Sequence, residues 1–249
     1  MSAATTSSTI FSLSYAYGPT GQNNGNLSSI TNDLDGTRTV NVNYDSLNRI
    51  ANALTTNWGE AYTIDAWGNM TAINSYQGKA HETLNCGPAN GQNQLNTCYA
   101  YDSPGNLIQN GSATYVYDGE NRLVGTAGWT YVYDGDGNRV KKVSTAGTLY
   151  WPDTTGRVLS ETDLSGGAKS DYVFFNGQRI ARVDPKTKAV HYYFSNQVGS
   201  HVLVTNATGG CEQDIEYYPY GGQRKQYCSY PGGAELQVYR QRTGQRIRP

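Results

Sequence analysis

"YVYDGENRLVGTAGWTYVYDGDGNRV", from Tyr115 to Val140, states a pattern and then restates it. Tyr117-Asp118 is followed by Asn121-Arg122-Leu123, and sixteen residues on Tyr133-Asp134 is followed by Asn138-Arg139-Val140. Ahead of each Asp the residues alternate, with Tyr115 and Tyr117 on one face and Val116 on the other, then Tyr131 and Tyr133 opposite Val132. That is the period of a β-strand. Asp ends the strand, because its carboxylate accepts the N–H groups of a turn. Gly or Asn supplies the positive φ of a tight reversal. Arg and an aliphatic residue open the return strand, and Arg can lay its stem along the tyrosine rings and stack its guanidinium over one. Each copy reads as the tip of a hairpin.

Working outward, the unit recurs as "YDSLNRI" (Tyr44, Asp45, Asn48, Arg49), "IDAWGNM" (Asp65, Gly68, Asn69) and "YDSPGNL" (Tyr101, Asp102, Gly105, Asn106). In the opening stretch its members are Tyr117, Asp118, Asn121 and Arg122, then Tyr133, Asp134, Gly137, Asn138 and Arg139. Uneven intervals exclude a solenoid of equal coils. Further on, "TLYWP" and "RVLSETD" flank Asp153–Gly156, and "DYVFF" and "QRIARVD" flank Asn176-Gly177, the strongest two-residue hairpin signal. "AVHYYFS" follows Pro185–Lys188, and "HVLVTNA" precedes Thr208-Gly209-Gly210. About nine strands in meander order are predicted between Ala113 and Tyr220, with no helical period. Before Tyr99 the pattern is less regular, with loops such as "GPTGQNNGN".

Composition supports an all-β chain. Of 249 residues, 37% are hydrophobic and only 16% charged, yet the net charge is −1 and there are 21 Tyr. A disordered chain of that polarity carries more charge and fewer aromatics. Tyr buries a ring while keeping a hydroxyl for a polar partner, and 29 Gly suffice for many turns. A charge near zero argues against nucleic acid as a partner. No apolar run reaches about 18 residues, so no membrane span is expected, and "MSAATTSSTIFSLSY" makes a poor signal peptide.

Candidate chemistry is sparse. Cys86, Cys98, Cys211 and Cys228 contain no C-x-x-C pair, which disfavours zinc. Cys86 and Cys98 bracket "GPANGQNQLNT", either as a disulfide in an oxidising compartment or as two free thiols. Asp134, Asp136 and Asn138 alternate as calcium-loop ligands do, but Thr145 stands where a bidentate Glu is needed, so an ordinary turn is the better reading. Of His81, His191 and His201, the last two flank "SNQVGS" and can meet across a hairpin, yet no carboxylate is placed by spacing to orient either ring. Ser200 and His201 are adjacent, hence on opposite faces, which speaks against a Ser–His dyad. No G-x-S-x-G, H-E-x-x-H or P-loop is present. No catalysis, metal or cofactor is expected. Trp58, Trp67, Trp129 and Trp151 are either sugar platforms or packing residues, which keeps open an extracellular adhesion or glycan-binding module.

The Tyr-Asp units resemble the YD repeats of the Rhs family, which includes the shells of insecticidal toxin complexes and the teneurins. "HYYFSNQVGSHVLVTNATGGCEQDIEYYPYGG" resembles the Rhs repeat-associated core, carried by Tyr192, Tyr193, Gly199, Ser200, Gly209, Tyr218, Pro219 and Gly221. Asn196-Gln197-Val198 departs from the family's Asp-His-Leu. The resemblance implies a wound sheet of hairpins that walls off a C-terminal, toxin-like polypeptide cargo outside the cell or at its surface. It divides the chain into an irregular segment 1–43, YD-repeat sheet 44–190, core segment 191–222 and a tail 223–249. After Gly233 the sequence turns into "AELQVYRQRTGQRIRP". With suitable codons, Glu235 to Pro249 read one base later gives "NYKFTGKERDSESG", the family's continuation, so the tail is read as frameshifted, non-native and loosely attached. Asp184-Pro185 looks like the family's cleavage dipeptide but sits in a predicted turn. With too few strands to close a container, the chain is expected to be an open curved sheet that holds no cargo and self-associates through its edges.

Overall fold

The computed structural model describes residues 9–18, 21 and 23–229. Seven strands form a first antiparallel sheet in chain order: β1 (Leu13–Ala16), β2 (Ser29–Asn32), β3 (Val40–Tyr44), β4 (Ile50–Leu54), β5 (Gly59–Ile64), β6 (Met70–Ser75) and β7 (Leu84–Asn85). Fourteen more form a second: β8 (Tyr99–Tyr101), β9 (Leu107–Asn110), β10 (Ala113–Tyr117), β11 (Leu123–Thr126), β12 (Trp129–Tyr133), β13 (Arg139–Val143) and β14 (Gly147–Pro152), then β15 (Val158–Thr162), β16 (Ala168–Phe175), β17 (Gln178–Val183), β18 (Val190–Ser195), β19 (His201–Asn206), β20 (Cys211–Tyr217) and β21 (Gln223–Ser229). Each strand pairs with its neighbours in sequence, and neither sheet closes on itself. A single 3-10 turn, Gly36–Arg38, is the only helical element among the described residues.

The chain is thus an all-β hairpin meander, but in two sheets rather than one. The interruption is the loop between β7 and β8, where Cys86 and Cys98 are disulfide-bonded and Cys86 is wholly buried. Hydrogen bonding runs unbroken through the expected boundaries at 190/191 and 222/223, and Gln223–Ser229 pairs with β20. Between Ala113 and Tyr220 there are eleven strands, β10 to β20, where about nine were expected. Reversals at Ala127-Gly128 and at Ser144–Ala146 account for weak signals: Ala127 takes a left-handed φ of 48° that its side chain does not favour. The region before Tyr99, though irregular in sequence, holds all seven strands of the first sheet.

The Tyr/Val alternation places the tyrosines on the covered face. Val116 and Val132 are 59% and 49% exposed, whereas Tyr115, Tyr117, Tyr131 and Tyr133 are half-buried. The reason is stacking. Arg122 lies over the Tyr133 ring at 5.3 Å, Arg139 over Tyr131 and Tyr150 at 5.1 and 5.2 Å, and Lys142 over Trp129 at 4.0 Å. Cations spread over rings cover the face without aliphatic side chains.

Candidate functional site

One turn is used eleven times among the described residues, at 45–49, 65–69, 90–94, 102–106, 118–122, 134–138, 153–157, 163–167, 196–200, 206–210 and 218–222. In each, the first residue's N–H donates to the carbonyl of the fifth, and the fourth residue's N–H donates to the carbonyl of the first. The fourth residue is left-handed every time, as Asn48, Gly68, Asn93, Gly105, Asn121, Gly137, Gly156, Gly166, Gly199, Gly209 or Gly221, with φ between 59° and 94°. This is a type I turn closed by a glycine-type bulge. Gly199, Gly209 and Gly221 of the core segment are therefore the same structural position as Gly68 or Gly137 of the repeats. Ser200 closes its copy by donating its N–H to Asn196 Oδ1 at 3.0 Å, and Pro219 takes the second position, where a fixed φ is welcome.

In ten of the eleven copies Asp or Asn opens the turn and its side chain does most of the bonding; Tyr218 opens the eleventh. Asp118 Oδ1 accepts from the N–H groups of Glu120 and Arg122, both at 2.9 Å, and Oδ2 accepts Arg122 Nε at 2.8 Å. Asp45 binds Arg49 in the same way, with Nε at 2.6 Å. In the copies opened by Asp65, Asp102 and Asp134 the guanidinium is replaced by the amide of Asn69, Asn106 or Asn138. The backbone N–H of Arg49 or Arg122, then its guanidinium, holds the Asp45 and Asp118 carboxyls below the usual carboxylate range. The Thr155 hydroxyl, then the Arg157 guanidinium, lowers Asp153 further. Neighbouring turns are also tied together: Asn69 Nδ2 donates to Asn93 Oδ1 at 2.6 Å and Asn106 Nδ2 to Asn121 Oδ1 at 2.8 Å.

The two opening copies are offset by one residue. Arg122 is the fifth residue of its turn and pairs with Asp118, but in the next copy that place belongs to Asn138. Arg139 comes one later, opposes Tyr133 in register and stacks on rings instead. Matching Asn121-Arg122 to Asn138-Arg139 by sequence is thus corrected. Asp134 spends its carboxylate on Asp136 N, Asn138 N and Asn138 Nδ2, which is the ordinary turn and not a ligand set.

A second constellation joins the two sheets. The hairpin of β20 and β21, with its Tyr218-Pro219-Tyr220-Gly221 tip, lies against the first sheet. Arg38 forks onto Asp214 with bonds of 2.9 and 2.8 Å, and its guanidinium sits 4.3 Å from the Tyr227 ring centre. Trp58, with no exposed surface, donates Nε1 to Glu216 Oε1 at 2.7 Å and meets the edge of Tyr218 at 5.0 Å. Glu216 Oε2 accepts from Arg224 at 2.7 Å and from the Tyr227 hydroxyl at 2.6 Å. Burial, then the Glu216 carboxylate, pushes the Tyr227 phenol up to about 12. Tyr220 packs edge-on against Tyr62 at 4.7 Å and donates to the Ile50 carbonyl at 3.1 Å. Beneath them Glu60 accepts the Tyr62 hydroxyl at 2.6 Å and the Glu82 N–H at 2.7 Å, and burial raises its pKa. This clasp gives Tyr218 and Tyr220 their roles. Its other half, Arg38, Trp58, Glu60 and Tyr62, was not singled out as a group by sequence, because no spacing rule links positions some 160 residues apart.

The histidines correct two expectations. His191 and His201 do not meet: His191 opposes Asn206, and His201 opposes Ser195. A carboxylate does orient one ring, since Glu212, two strands away on β20, lies 2.5 Å from His191 Nδ1. A Ser–His contact also exists, through Ser195 rather than Ser200. Its Oγ is 2.9 Å from His201 Nδ1, across the register shift where β18 ends and β19 begins. The His201 ring stacks on buried Tyr193 at 4.6 Å, and burial, then Arg179, lowers its pKa. Tyr192 points to the opposite, exposed face. Cys211 and Cys228 are disulfide-bonded between β20 and β21, a pair that no spacing in the chain signals. Of the tryptophans, Trp58 is buried, Trp129 is half-buried under Lys142, and Trp67 and Trp151 are 79% and 53% exposed. The expected frameshifted tail, Glu235 to Pro249, lies outside the described residues. No group of His, Cys, Asp or Glu able to hold a metal is found among the described residues, and no described helix is long and apolar enough to cross a membrane.

A bulged-hairpin meander with Tyr-Asp turns and a clasped terminal hairpin defines the class. The particular structures it matches are toxin-complex chains. One is from a Photorhabdus luminescens Tc holotoxin pore with a mutated TccC3, at TM-score 0.65 and 19% identity over 88% of this chain. Another is from the TcdB2-TccC3-TEV structure, at TM-score 0.65 and 20% identity, again over 88%. The chain has the fold of those regions, and it spans 13% and 14% of the two chains' lengths. No family model matches the sequence. No curated protein matches it either.

Proposed function

We propose that this chain is a non-catalytic segment of a YD-repeat shell wall, which in its full-length relatives encloses a C-terminal polypeptide cargo. The observation that carries this reading is the turn used eleven times. Its polar side chains are consumed in holding hairpins in register, which is what a wall requires and a catalyst does not. The clasp fits the same role, since it fastens the end of one sheet onto the start of another through ion pairs and hydrogen bonds between buried or partly buried groups. The Ser195–His201 contact is read as packing: Tyr193 covers the ring, and no carboxylate is bonded to it among the described residues. Two disulfides favour an oxidising, exported setting.

The test is a chimera in which residues 9–229 replace the matching strands of a TcdB2-TccC3 shell. A protease digests free cargo and spares enclosed cargo. The chimera is expected to protect its cargo as the parent does. A chimera that assembles but leaves its cargo digestible overturns the reading.

A further inference from the structure

The wall reading accounts for the tyrosine face and the clasp, but leaves unexplained an exposed indole on the opposite face. Tyr150 is buried on the tyrosine face with Arg139 over its ring, so its neighbour Trp151 points the other way, where it is 53% exposed. An exposed tryptophan is commonly free to turn. This one is fixed, because Nε1 donates to Thr162 Oγ1 at 3.1 Å. Register places Ser160 opposite Trp151 and Asp171 opposite Ser160, so the three stand in one row on one face. At the usual strand spacing Asp171 is about 10 Å from Trp151. Ser160 Oγ donates to Asp171 Oδ1 at 2.7 Å, which orients that carboxylate, and Oδ2 has no partner among the described residues.

From this row we infer a binding site for an oligosaccharide, with Trp151 as platform and Asp171 as hydroxyl acceptor. The C–H bonds on a pyranose face carry slight positive charge and suit the negative face of an indole. A carboxylate oxygen with a free lone pair takes sugar hydroxyls as charge-assisted donors. Two linked rings span the row, one on the indole and one at Asp171. Trp151 alone would suit a protein partner too, but the Ser160–Asp171 pair beside it does not, because Asp and Ser are depleted from protein–protein interfaces. The site is independent of the wall reading, since neither face's role requires the other's.

The test is a printed array of defined oligosaccharides, followed by titration of the best binder together with glucose- and N-acetylglucosamine-based hexasaccharides. Wild type is expected to bind at least one of them. Trp151→Ala is expected to weaken binding tenfold or more, and Asp171→Asn severalfold. Trp67→Ala, which removes the more exposed indole at a turn tip, is expected to bind as wild type does. Circular dichroism checks that each variant is folded, and Trp151→Phe serves as the milder replacement, expected to bind between wild type and Trp151→Ala. No binding by wild type at millimolar sugar, equal binding by folded Trp151→Ala, or loss with Trp67→Ala instead, each overturns the proposal.

Discussion

Asp118 takes two backbone amides on one oxygen and the Arg122 guanidinium on the other, and this geometry has a pH signature. A carboxylate bound this way has a folded pKa below its unfolded value near about 3.9. It therefore stabilises the fold above that value, and the contribution is lost as pH falls through the depressed folded pKa. Asp45, Asp118, Asp134, Asp153, Asp163 and Asp184 are all lowered, so acid should act on many hairpins at once. The contribution of these turns to the melting temperature is expected to stay constant from neutral pH to about 5 and to drop steeply below about 4. The double variant Asp118→Asn/Asp153→Asn should melt lower at pH 7 but lose less on acidification; an acid slope equal to wild type contradicts the assignment. Glu60 runs the other way. Its raised pKa means that protonation favours the folded state, a benefit lost as pH rises from the unfolded carboxylate value through the raised folded one, so Glu60→Gln should gain stability relative to wild type as pH rises above about 4.3. A larger pH dependence in that variant would count against it. At this scale the Asp and the left-handed Gly or Asn could be read directly, because both act within five residues. The slip at Asn138-Arg139 arose because sequence shows spacing and not which residue closes the turn.

Among the elements, the hairpin of β20 and β21 matters most, since its side chains reach Arg38, Ile50, Trp58 and Tyr62 of the first sheet. Trp58→Ala removes a fully buried ring and its bond to Glu216, and should cost about 3–5 kcal/mol in urea unfolding. A loss under about 1 kcal/mol would mean the clasp is not formed in solution. A double-mutant cycle of Arg38→Ala with Asp214→Ala should show coupling, because their forked pair is partly buried. Breaking the Cys86–Cys98 bridge by paired serine substitution should cost about 2–4 kcal/mol, as expected for closing a short loop. Hairpin order from Ala113 onward was readable because each element carries its own turn chemistry. The break at Cys86–Cys98 and the clasp were not, because they depend on which faces meet after the ribbon has come round. Burial of Trp58 and Glu60 is decided by strands far along the chain.

For the whole molecule, the question is what the edges do. The clasp joins the sheets by side chains, but it pairs no backbone: β1 hydrogen-bonds only to β2 and β21 only to β20 among the described residues. Such edges invite further strands. In a complete wall those would be the neighbouring strands, and the matching structures are chains of which this one spans only 13% and 14%. Alone, the chain should find its partners in other copies. The most direct test is light scattering on the purified protein over a hundredfold range of concentration. A weight-average mass that climbs steadily with concentration, reversed on dilution, is the expected result for a wall segment with open edges. A monomer of 27.2 kDa throughout would contradict it, and would make the chain a self-contained domain instead.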